Sequence, residues 1–283
     1  MSGRTIVVTG ASDGIGAAAA RALAADGHTV VVVGRSPTRT RQVAAEVGGP
    51  AHVADFARLD EVRGLAADLL AAYERIDVLV NNAGGVFGER TVTPDGLEAT
   101  FQVDHLAHFL LTNLLMDRLL ASRATVLATS SVASRASRMT VEDARRAGEP
   151  APEGRYSSLR AYADAKLANV LHVRELDRRY GDAGLATAAV HPGGVATSFA
   201  ATSADLSGWF YRSRLGRRLM RTPEQGAATL VRLARTTPGV DWPTGGYWSD
   251  DRPARGNPRA HDPALARALW ERSEQLVAAS VTG

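Results

Sequence analysis

The strongest constraint on the fold is a regular alternation of short apolar runs with longer segments rich in alanine and leucine. The short runs carry no alternating polar residues, which is typical of strands covered on both faces. A rhythm of strand, helix and strand predicts an α/β fold with one doubly wound parallel sheet. The strands are expected at 5–9, 29–33, 51–54, 77–81, 125–130 and 186–191.

Helices are expected between these strands, with helices on both faces of the sheet. Their predicted spans are 14–26, 39–47, a segment ending at 73, 94–120 and 159–180. Thr222-Pro223 and Asp262-Pro263 each place a capping residue before a proline, which predicts two further helix starts. Glycine and proline between Arg145 and Arg155 predict a surface loop.

Composition narrows the classes of function. The chain has 283 residues, which suits one domain spanning 1–283. With 33 basic and 30 acidic residues the formal charge is +3, too weak for a nucleic-acid binder that depends on electrostatics. There are 0 cysteines, which excludes disulfides and thiolate metal sites. No signal-like or membrane-spanning run is apparent, so we expect a cytoplasmic protein.

The first strand is followed by a glycine-rich turn that leads into the first helix. Glycines let the backbone approach a pyrophosphate, and the helix N-terminus presents free N–H groups and a partial positive charge. A tight turn without a ligand is the alternative. The expected cofactor contacts here are Gly10, Ser12, Asp13, Gly14, Ile15 and Gly16.

The end of the second strand indicates which dinucleotide is bound. An acidic residue there would bind the ribose hydroxyls of NAD, whereas this chain has Arg35. A guanidinium can hold a 2′-phosphate in a bidentate way, so NADP(H) is predicted in preference to NAD(H). The alternative is that Arg35 is an ordinary surface arginine.

Polar and small residues also follow the third and fourth strands, at the edge where ligands bind in such sheets. Asp55 could accept a hydrogen bond from the adenine amino group, or it could cap the next helix. The further cofactor contacts expected here are Asp55, Phe56, Asn82, Ala83 and Gly84.

Tyr162 and Lys166 lie four residues apart on a predicted helix and therefore share one face. A nearby ammonium lowers the pKa of a phenol, which can then exchange a proton with an alcohol or carbonyl. Ser131, after the fifth strand, could hydrogen-bond the same oxygen. Lys166 is the only lysine in a chain that otherwise uses arginine, which indicates a position where arginine cannot serve.

With these motifs the chain resembles the short-chain dehydrogenase/reductase family. The matching motifs are Thr9-Gly10-x-x-x-Gly14-Ile15-Gly16, Asn81-Asn82-Ala83-Gly84, Ser131, Tyr162-x-x-x-Lys166 and Pro192-Gly193. Longer matches beginning at Asp95, Lys166, Thr222 and Leu269 resemble the retinol-dehydrogenase-like and WW-domain-oxidoreductase-like subgroup. The resemblance implies a single-domain Rossmann-type fold of about seven strands.

The resemblance also implies the roles of the site residues. Tyr162 would be the acid–base, Lys166 would lower its pKa and hold the nicotinamide ribose, and Ser131 would position the substrate oxygen. The implied reaction interconverts an alcohol and its carbonyl, and the aromatic residues within 209–221 indicate that the substrate is apolar. Further contacts to the nicotinamide half of the cofactor are expected from Pro192, Gly193, Val195 and Thr197.

One position departs from the family pattern. Where the family has a fourth catalytic residue, an asparagine, this chain has Asp104. An ionised carboxylate there could raise the pKa of the phenol, the unfavourable direction for catalysis. An alternative hypothesis is therefore a low-turnover NADP(H)-binding regulator or scaffold on the same fold.

Two further features have residue types that occur in binding sites. His105 and His108 have metal-ligand spacing on one helix, but packing and capping are favoured and no metal is expected. The basic, aromatic stretch 209–221 lies in a predicted substrate lid at about 195–221 and is interpreted as an amphipathic lid helix, with peripheral membrane contact as the alternative. A homo-oligomer is possible on the sequence alone.

Overall fold

One sheet runs through the computed structural model, which describes residues 3–194 and 221–280. Its strands are β1 Thr5–Thr9, β2 Thr29–Gly34, β3 Ala51–Val53, β4 Val78–Asn81, β5 Thr125–Thr129, β6 Ala186–His191, β7 Gly246–Ser249 and β8 Arg252–Pro253. Their order is β3-β2-β1-β4-β5-β6-β7-β8. The pairs from β3 to β7 are parallel, and only β8 is antiparallel. The α/β prediction is confirmed, with a short antiparallel strand added at one edge.

The first strand, β1, lies inside the sheet, and the order in which strands are added changes side between β1 and β4. After β1 the chain moves outward to β3, and then returns to β4 on the other side of β1. Ligand sites of doubly wound sheets lie at such a reversal, outside the carboxyl ends of the strands. The turns after β1, β4, β5 and β6 therefore meet at one edge.

Helices cover both faces, as predicted. They are α1 Gly14–Ala25, α2 Pro37–Val47, α3 Leu59–Ala72, α4 Ala99–Phe101, α5 Ala107–Leu114, α6 Met116–Ser122, α7 Val141–Arg145, α8 Ser158–Tyr180, α9 Pro223–Arg235 and α10 Pro263–Ala279. Ile6 and Val8 of β1 join the apolar cluster with α1, α2 and α9. Val7 joins the cluster with α3, α5, α8 and α10. This alternation explains why the strand sequence is continuously apolar.

The helix predicted from 94 to 120 is wrong at its start and in its continuity. Residues 93–97 form a turn, with Gly96 at φ 78°. The helix begins only at α4 because the Glu98 carboxylate accepts from the backbone of Thr100 and Phe101, at 2.9 and 2.7 Å. A π-helical segment, Gln102–Leu106, then separates α4 from α5. Wide turns of this kind are rare and occur frequently at functional sites.

The later helix starts and the loop are confirmed. Thr222 forms a capping box with Gln225 at the start of α9, and Asp262 caps α10. Residues 146–157, between α7 and α8, contain no helix or strand. Within the described ranges, no helix combines the length and apolar character needed to cross a lipid bilayer.

Candidate active site

The predicted phosphate-binding turn lies between β1 and α1. Gly10 has φ +65°, and a Cβ placed on it would lie 2.7 Å from the Cα of Ala83. The turn can therefore pass under the end of β4 only with glycine. Asp13 caps α1, its carboxylate accepting from the backbone N of Gly14 at 2.7 Å. Most of the backbone donors in the first turn of α1 remain for an anion.

Thr9 and Asn82 fasten this turn to its neighbouring strands. The Thr9 hydroxyl donates to the Val80 carbonyl and accepts from the backbone N of Asn82 and of Ala83, at 3.1, 2.9 and 3.0 Å. The Asn82 side chain donates to the Thr9 carbonyl and accepts from the Thr129 hydroxyl, both at 3.0 Å. The ends of β1, β4 and β5 are thereby held as one rigid unit.

Arg35 extends from the end of β2 with an exposed side chain. It makes no hydrogen bond or ion pair with another residue in the described ranges, whereas Arg39 lies 3.3 Å from Asp13. Gly34 brings this strand end against the turn, since a Cβ on it would lie 2.8 Å from the Ser12 Cβ. Ser12 therefore lies beside the end of β2, from which Arg35 extends.

Asp55 and Phe56 follow β3 as predicted, but their side chains differ in exposure. Asp55 accepts from the backbone N of Ala57 at 3.0 Å, in a turn. It does not cap α3, whose N-cap is Arg58, so that alternative is wrong. Phe56 is 4% exposed and packs edge-on against His108. Only the backbone of Phe56 remains for a ligand.

Ser131 is the N-cap of a 3-10 helix, Val132–Ala136, that follows β5. Its hydroxyl oxygen accepts from the backbone N of Ala133 at 3.2 Å. The hydroxyl hydrogen can therefore point outward as a donor to a substrate oxygen. The preceding Ser130 donates to the Lys166 carbonyl at 2.7 Å, which joins β5 to α8.

Tyr162 and Lys166 lie on one face of α8, as their spacing predicts. The Lys166 Nζ lies 5.4 Å from the centre of the Tyr162 ring. Tyr162 is half-buried, whereas Lys166 is 3% exposed. Asn169 supports this region from the next turn, donating to the Thr129 carbonyl at 3.1 Å.

Asp104 lies in the π-helical segment and forms a buried ion pair with Lys166, 3.0 Å from Nζ to Oδ2. Its other oxygen accepts from the backbone N of Gly85 at 2.5 Å. Burial raises the pKa of the Asp104 carboxyl, against the lowering effects of Lys166 and Gly85. Burial alone would lower the pKa of Lys166, but Asp104 and Tyr162 outweigh it and raise that pKa. The lysine is therefore held as an ammonium.

Gly84 packs closely against this ion pair. A Cβ on Gly84 would lie 2.8 Å from the Asp104 Oδ1 and 3.1 Å from the Lys166 Nζ. Any larger residue would press against the ion pair. The small residue predicted as a cofactor contact is thus also required by the packing of the buried pair.

The end of β6 is described only in part. Pro192 is buried, and Gly193 has φ +85° with Arg221 against it. Val195, Thr197 and nearly all of the predicted lid lie outside the described residues. Their roles remain predictions.

The two histidines with metal-ligand spacing are packed into the core. His105 is within hydrogen-bond distance of Asn169 and Ser273, at 3.3 and 3.2 Å. His108 stacks edge-on against Phe56 with ring centres 5.4 Å apart. Within the part of the chain that the structure describes, no cluster of three or more His, Asp or Glu residues could hold a metal.

Three residues that build the site have no role that the sequence assigns to them. Thr9, Glu98 and Asn169 hold its backbone, and each acts through a hydrogen bond to a residue of another element or to a helix start. For Thr9, a polar residue at the end of an otherwise apolar strand could have indicated a structural hydrogen bond. His191, directly before Pro192, accepts from the backbone N of Val132, beside Ser131, at 3.2 Å.

The residues at this edge fit a nicotinamide dinucleotide. The glycine turn and α1 offer donors for phosphates, and Arg35 lies where an adenosine ribose would end. Lys166 lies beside Tyr162 on α8, and Ser130, next to Ser131, bonds the Lys166 carbonyl, which holds the end of β5 against this helix. A helix terminus for the phosphates and an acid–base group for an alcohol therefore lie at the same edge of the sheet.

Comparison with known proteins agrees with this geometry. A family model described as short chain dehydrogenase matches residues 4–142. A Streptomyces sp. (strain C5) protein, provisionally named daunorubicin C-13 ketoreductase, is 42% identical over 98% of this chain and 93% of its own length. Human retinol dehydrogenase 13 is 34% identical, over 97% of this chain and 85% of its own.

A relative in the second predicted subgroup and a solved structure agree as well. The WW domain-containing oxidoreductase of Danio rerio is 36% identical over 98% of this chain and 69% of its own. A Shigella flexneri 2a structure, provisionally described as a short chain dehydrogenase and complexed with NADP, has a TM-score of 0.67 at 27% identity, over 87% of this chain and 96% of its own. This chain therefore belongs to the short-chain dehydrogenase family, in its retinol-dehydrogenase-like subgroup, and is an NAD(P)-linked oxidoreductase of alcohols and carbonyls.

Proposed function

We propose that this protein is an NADP(H)-dependent oxidoreductase that interconverts an alcohol and its carbonyl on an apolar substrate. The observation that carries the proposal is that the Lys166 ammonium lies beside Tyr162 on α8, at the sheet edge where Ser131 follows β5 and the glycine turn follows β1. These groups provide an acid–base, a charge to tune it and a donor to orient the substrate.

The proposed mechanism assigns one task to each residue. Ser131 donates a hydrogen bond to the carbonyl oxygen and fixes its direction. Tyr162 gives its phenolic proton to that oxygen in reduction and takes it back in oxidation. Lys166 stabilises the phenolate that forms, because its ammonium remains charged beside Asp104. When bound, the nicotinamide supplies or accepts the hydride.

The NADP preference is supported by the surroundings of Arg35. Its guanidinium is exposed and without a hydrogen-bonding partner in the described ranges, beside Ser12 and the closely packed Gly34. Arg39 could contribute further charge, although Asp13 holds it at 3.3 Å. A 2′-phosphate would give Arg35 the bidentate partner that it lacks.

An apolar substrate is supported by the surface around the reacting groups. Val132 and Leu159 are exposed to 50% and 64%, and they flank Ser131 and Tyr162 in sequence. The names of the relatives point to retinol and to daunorubicin, which share a large carbon skeleton. We therefore propose a bulky, apolar aldehyde, ketone or alcohol as the substrate class.

Replacing the proposed acid–base tests the reaction. We expect Tyr162→Phe to reduce turnover of a carbonyl panel (daunorubicin, all-trans-retinal, benzaldehyde and acetophenone) by roughly 10²–10⁴-fold, the usual contribution of a positioned acid–base. NADPH binding, followed by its fluorescence, should persist. A Tyr180→Phe variant, at the far end of α8, is the matched control and should retain activity. Undiminished turnover in Tyr162→Phe would exclude the proposed mechanism.

A second experiment tests the cofactor preference. NADPH and NADH are titrated into the wild type and into Arg35→Ala. We expect the wild type to prefer NADPH and the variant to lose about 1.5–3 kcal/mol of NADPH affinity, the contribution of a hydrogen bond to a charged group. NADH affinity should change little, and Arg41→Ala serves as a control. Tighter binding of NADH than of NADPH by the wild type would contradict the preference.

A further inference from the structure

The peptide group that follows Ser131 is held at both of its ends. Its N–H belongs to Val132 and donates to the His191 Nδ1 at 3.2 Å. Its carbonyl belongs to Ser131 and accepts from the Tyr247 hydroxyl at 3.3 Å and from the backbone N of Ser134 at 3.0 Å. The two side chains come from β6 and β7, which are adjacent in the sheet.

Holding this peptide group also holds the serine. The plane of the peptide is set by the backbone dihedral ψ of Ser131, and it determines where the residues that follow lie. One of them is Ala133, whose backbone N fixes the Ser131 hydroxyl oxygen at 3.2 Å. A rotation of the peptide would therefore move the Ala133 N–H and release the hydroxyl from its present orientation.

The contact to His191 needs a neutral imidazole. Nδ1 can accept the Val132 N–H only while it carries no proton, since both ring nitrogens of an imidazolium are donors. Burial lowers the pKa of His191, with help from Arg221 and Arg135 and against Asp250. These three side chains are the charged groups that face the ring from the described elements around it.

We propose that His191 is a positioning residue for the reaction: its neutral imidazole, with Tyr247, fixes the peptide group after Ser131 and thereby the donor that orients the substrate oxygen. Protonation of His191 releases the peptide group. Carbonyl reduction then slows as the pH falls, although the phenol of Tyr162 stays protonated and ready to donate. This inference rests on the function proposed above.

The chain contains a matched control for this contact. His28, just before β2, accepts the backbone N of Arg4 through Nδ1 at 3.3 Å. The hydrogen bond has the same atoms and nearly the same length. It joins the start of β2 to the start of β1, at the edge of the sheet away from the carboxyl ends of the strands.

The test compares His191→Leu, His191→Asn, Tyr247→Phe and His28→Leu in reduction of the carbonyl panel between pH 5 and 8. Asparagine can offer an oxygen near the position of Nδ1 and does not titrate. We expect kcat to fall about tenfold in His191→Leu, equivalent to about 1.4 kcal/mol. His191→Asn should recover most of this loss and should lack the decline below the ordinary histidine pKa of about 6.5.

Affinity for NADPH should stay unchanged in all four variants, and Tyr247→Phe should lose turnover in the same direction as His191→Leu. His28→Leu should retain the wild-type kcat and pH profile. Equal kcat in wild type and His191→Leu would overturn the inference, as would an unchanged acid decline in His191→Asn.

A measurement without substrate separates this inference from the proposed function. In protein labelled with ¹⁵N-valine, the Val132 amide should titrate with His191 in the wild type and should not titrate in His191→Asn. A Val132 amide that does not titrate overturns the contact itself. A titrating amide in a wild type that reduces no carbonyl overturns the proposed function, and with it the positioning role.

Discussion

At the scale of single residues, the site is governed by the buried pair of Asp104 and Lys166. Removing one partner of a buried ion pair is costly, because the other charge then lacks compensation. This explains how the only lysine of the chain can be 3% exposed and still remain an ammonium. An arginine would have to place its planar, larger head group under Gly84, where a Cβ would already lie 3.1 Å from the Lys166 Nζ.

Asp104→Asn tests what the carboxylate does to the reaction. Without the carboxylate, the phenol loses a nearby negative charge that raises its pKa, so the pKa of the proposed base should fall if Lys166, which Tyr162 also helps to keep charged, stays protonated in the variant. We expect the rising limb of the pH profile for alcohol oxidation to move to lower pH and turnover near neutral pH to increase. The measurement is kcat against pH with retinol and NADP⁺.

The control for this variant is Asp164→Asn, on the same helix as Lys166 but bonded to Ser137. Its pH profile should stay that of the wild type. A wild type that binds NADPH but reduces no carbonyl, with turnover appearing only in Asp104→Asn, would support the regulator or scaffold hypothesis. An unchanged profile in Asp104→Asn would exclude any influence of the carboxylate on the phenol.

At the scale of elements, the π-helical segment depends on how its helix begins. The Glu98 carboxylate is 6% exposed and binds the first free N–H groups of α4. It also accepts from the Tyr156 hydroxyl at 3.1 Å, in the loop before α8. Burial is the main reason that the pKa of Tyr156 rises to about 12, so it remains a donor. One carboxylate thus connects the segments that carry Asp104 and Tyr162.

Glu98→Ala should weaken both segments. The loss of a buried cap leaves backbone donors unpaired, and we expect a cost of about 1–3 kcal/mol in the free energy of unfolding. Urea unfolding measures this cost, and hydrogen exchange at Thr100 and Phe101 locates it. Glu142→Ala is the control. Glu142 is exposed and forms a long ion pair of 3.6 Å with Arg145, so its replacement should lower the free energy of unfolding by less than about 1 kcal/mol. Equal stabilities of the two variants would contradict the capping role.

At the scale of the whole molecule, three buried histidines lie in the core, and two of them, His105 and His172, contact α10. His105 and His172 lie 5.7 Å apart between ring centres, and Trp270 of α10 lies 5.8 Å from His172. Burial lowers the pKa of His105 to about 4 and that of His108 to about 3, and it lowers that of His172 well below the ordinary value. All three are therefore neutral in the folded protein at pH 7.

This predicts a loss of stability in mild acid. The unfolded chain binds protons on these histidines below about pH 6.5, and the folded protein does not. The contribution of these histidines to the free energy of unfolding is therefore fully present above this pH. It should decrease towards pH 4 by up to about 1.4 kcal/mol per pH unit for each histidine. Urea unfolding between pH 7 and 4.5 measures the slope. His172→Phe should reduce the slope by about one proton.

The control is His261→Phe, because His261 is exposed and its side chain lies against Arg174. The pH dependence of its free energy of unfolding should match that of the wild type. A free energy of unfolding that stays constant from pH 6.5 to 4.5 would show that the histidines are accessible to protons in the folded protein.

Features that depend on neighbouring residues could be predicted from the sequence, whereas features that depend on contacts between distant residues could not. Continuous apolar strands and capped helices are local patterns, so the order of strands and helices and the positions of Gly10, Ser131, Tyr162 and Lys166 could be predicted from them. The turn at 93–97 depends on contacts made elsewhere in the chain, such as the Asp95 carboxylate accepting from Leu59 at 3.0 Å. Helical periodicity continued through this region and gave no warning of the turn.

The same reasoning explains what was missed at the site. His191 contacts Val132 across 59 positions in sequence, and Tyr247 contacts Ser131 across 116. A histidine before Pro192-Gly193 has no spacing relation to a serine, so no motif connects them. The pairing of Asp104 with Lys166 likewise follows from no spacing in the sequence, although Asp104 can be seen to differ from the asparagine of the family pattern.

The two outermost strands of the sheet determine how copies of this protein can meet. β3 has only 3 residues, and β8 has 2, one of which is a proline without an N–H to offer. A long row of unpaired backbone groups invites strands from other molecules to join, which leads to aggregation. Among the described residues neither margin provides such a row. Association by strand pairing is therefore disfavoured at both margins of the described sheet.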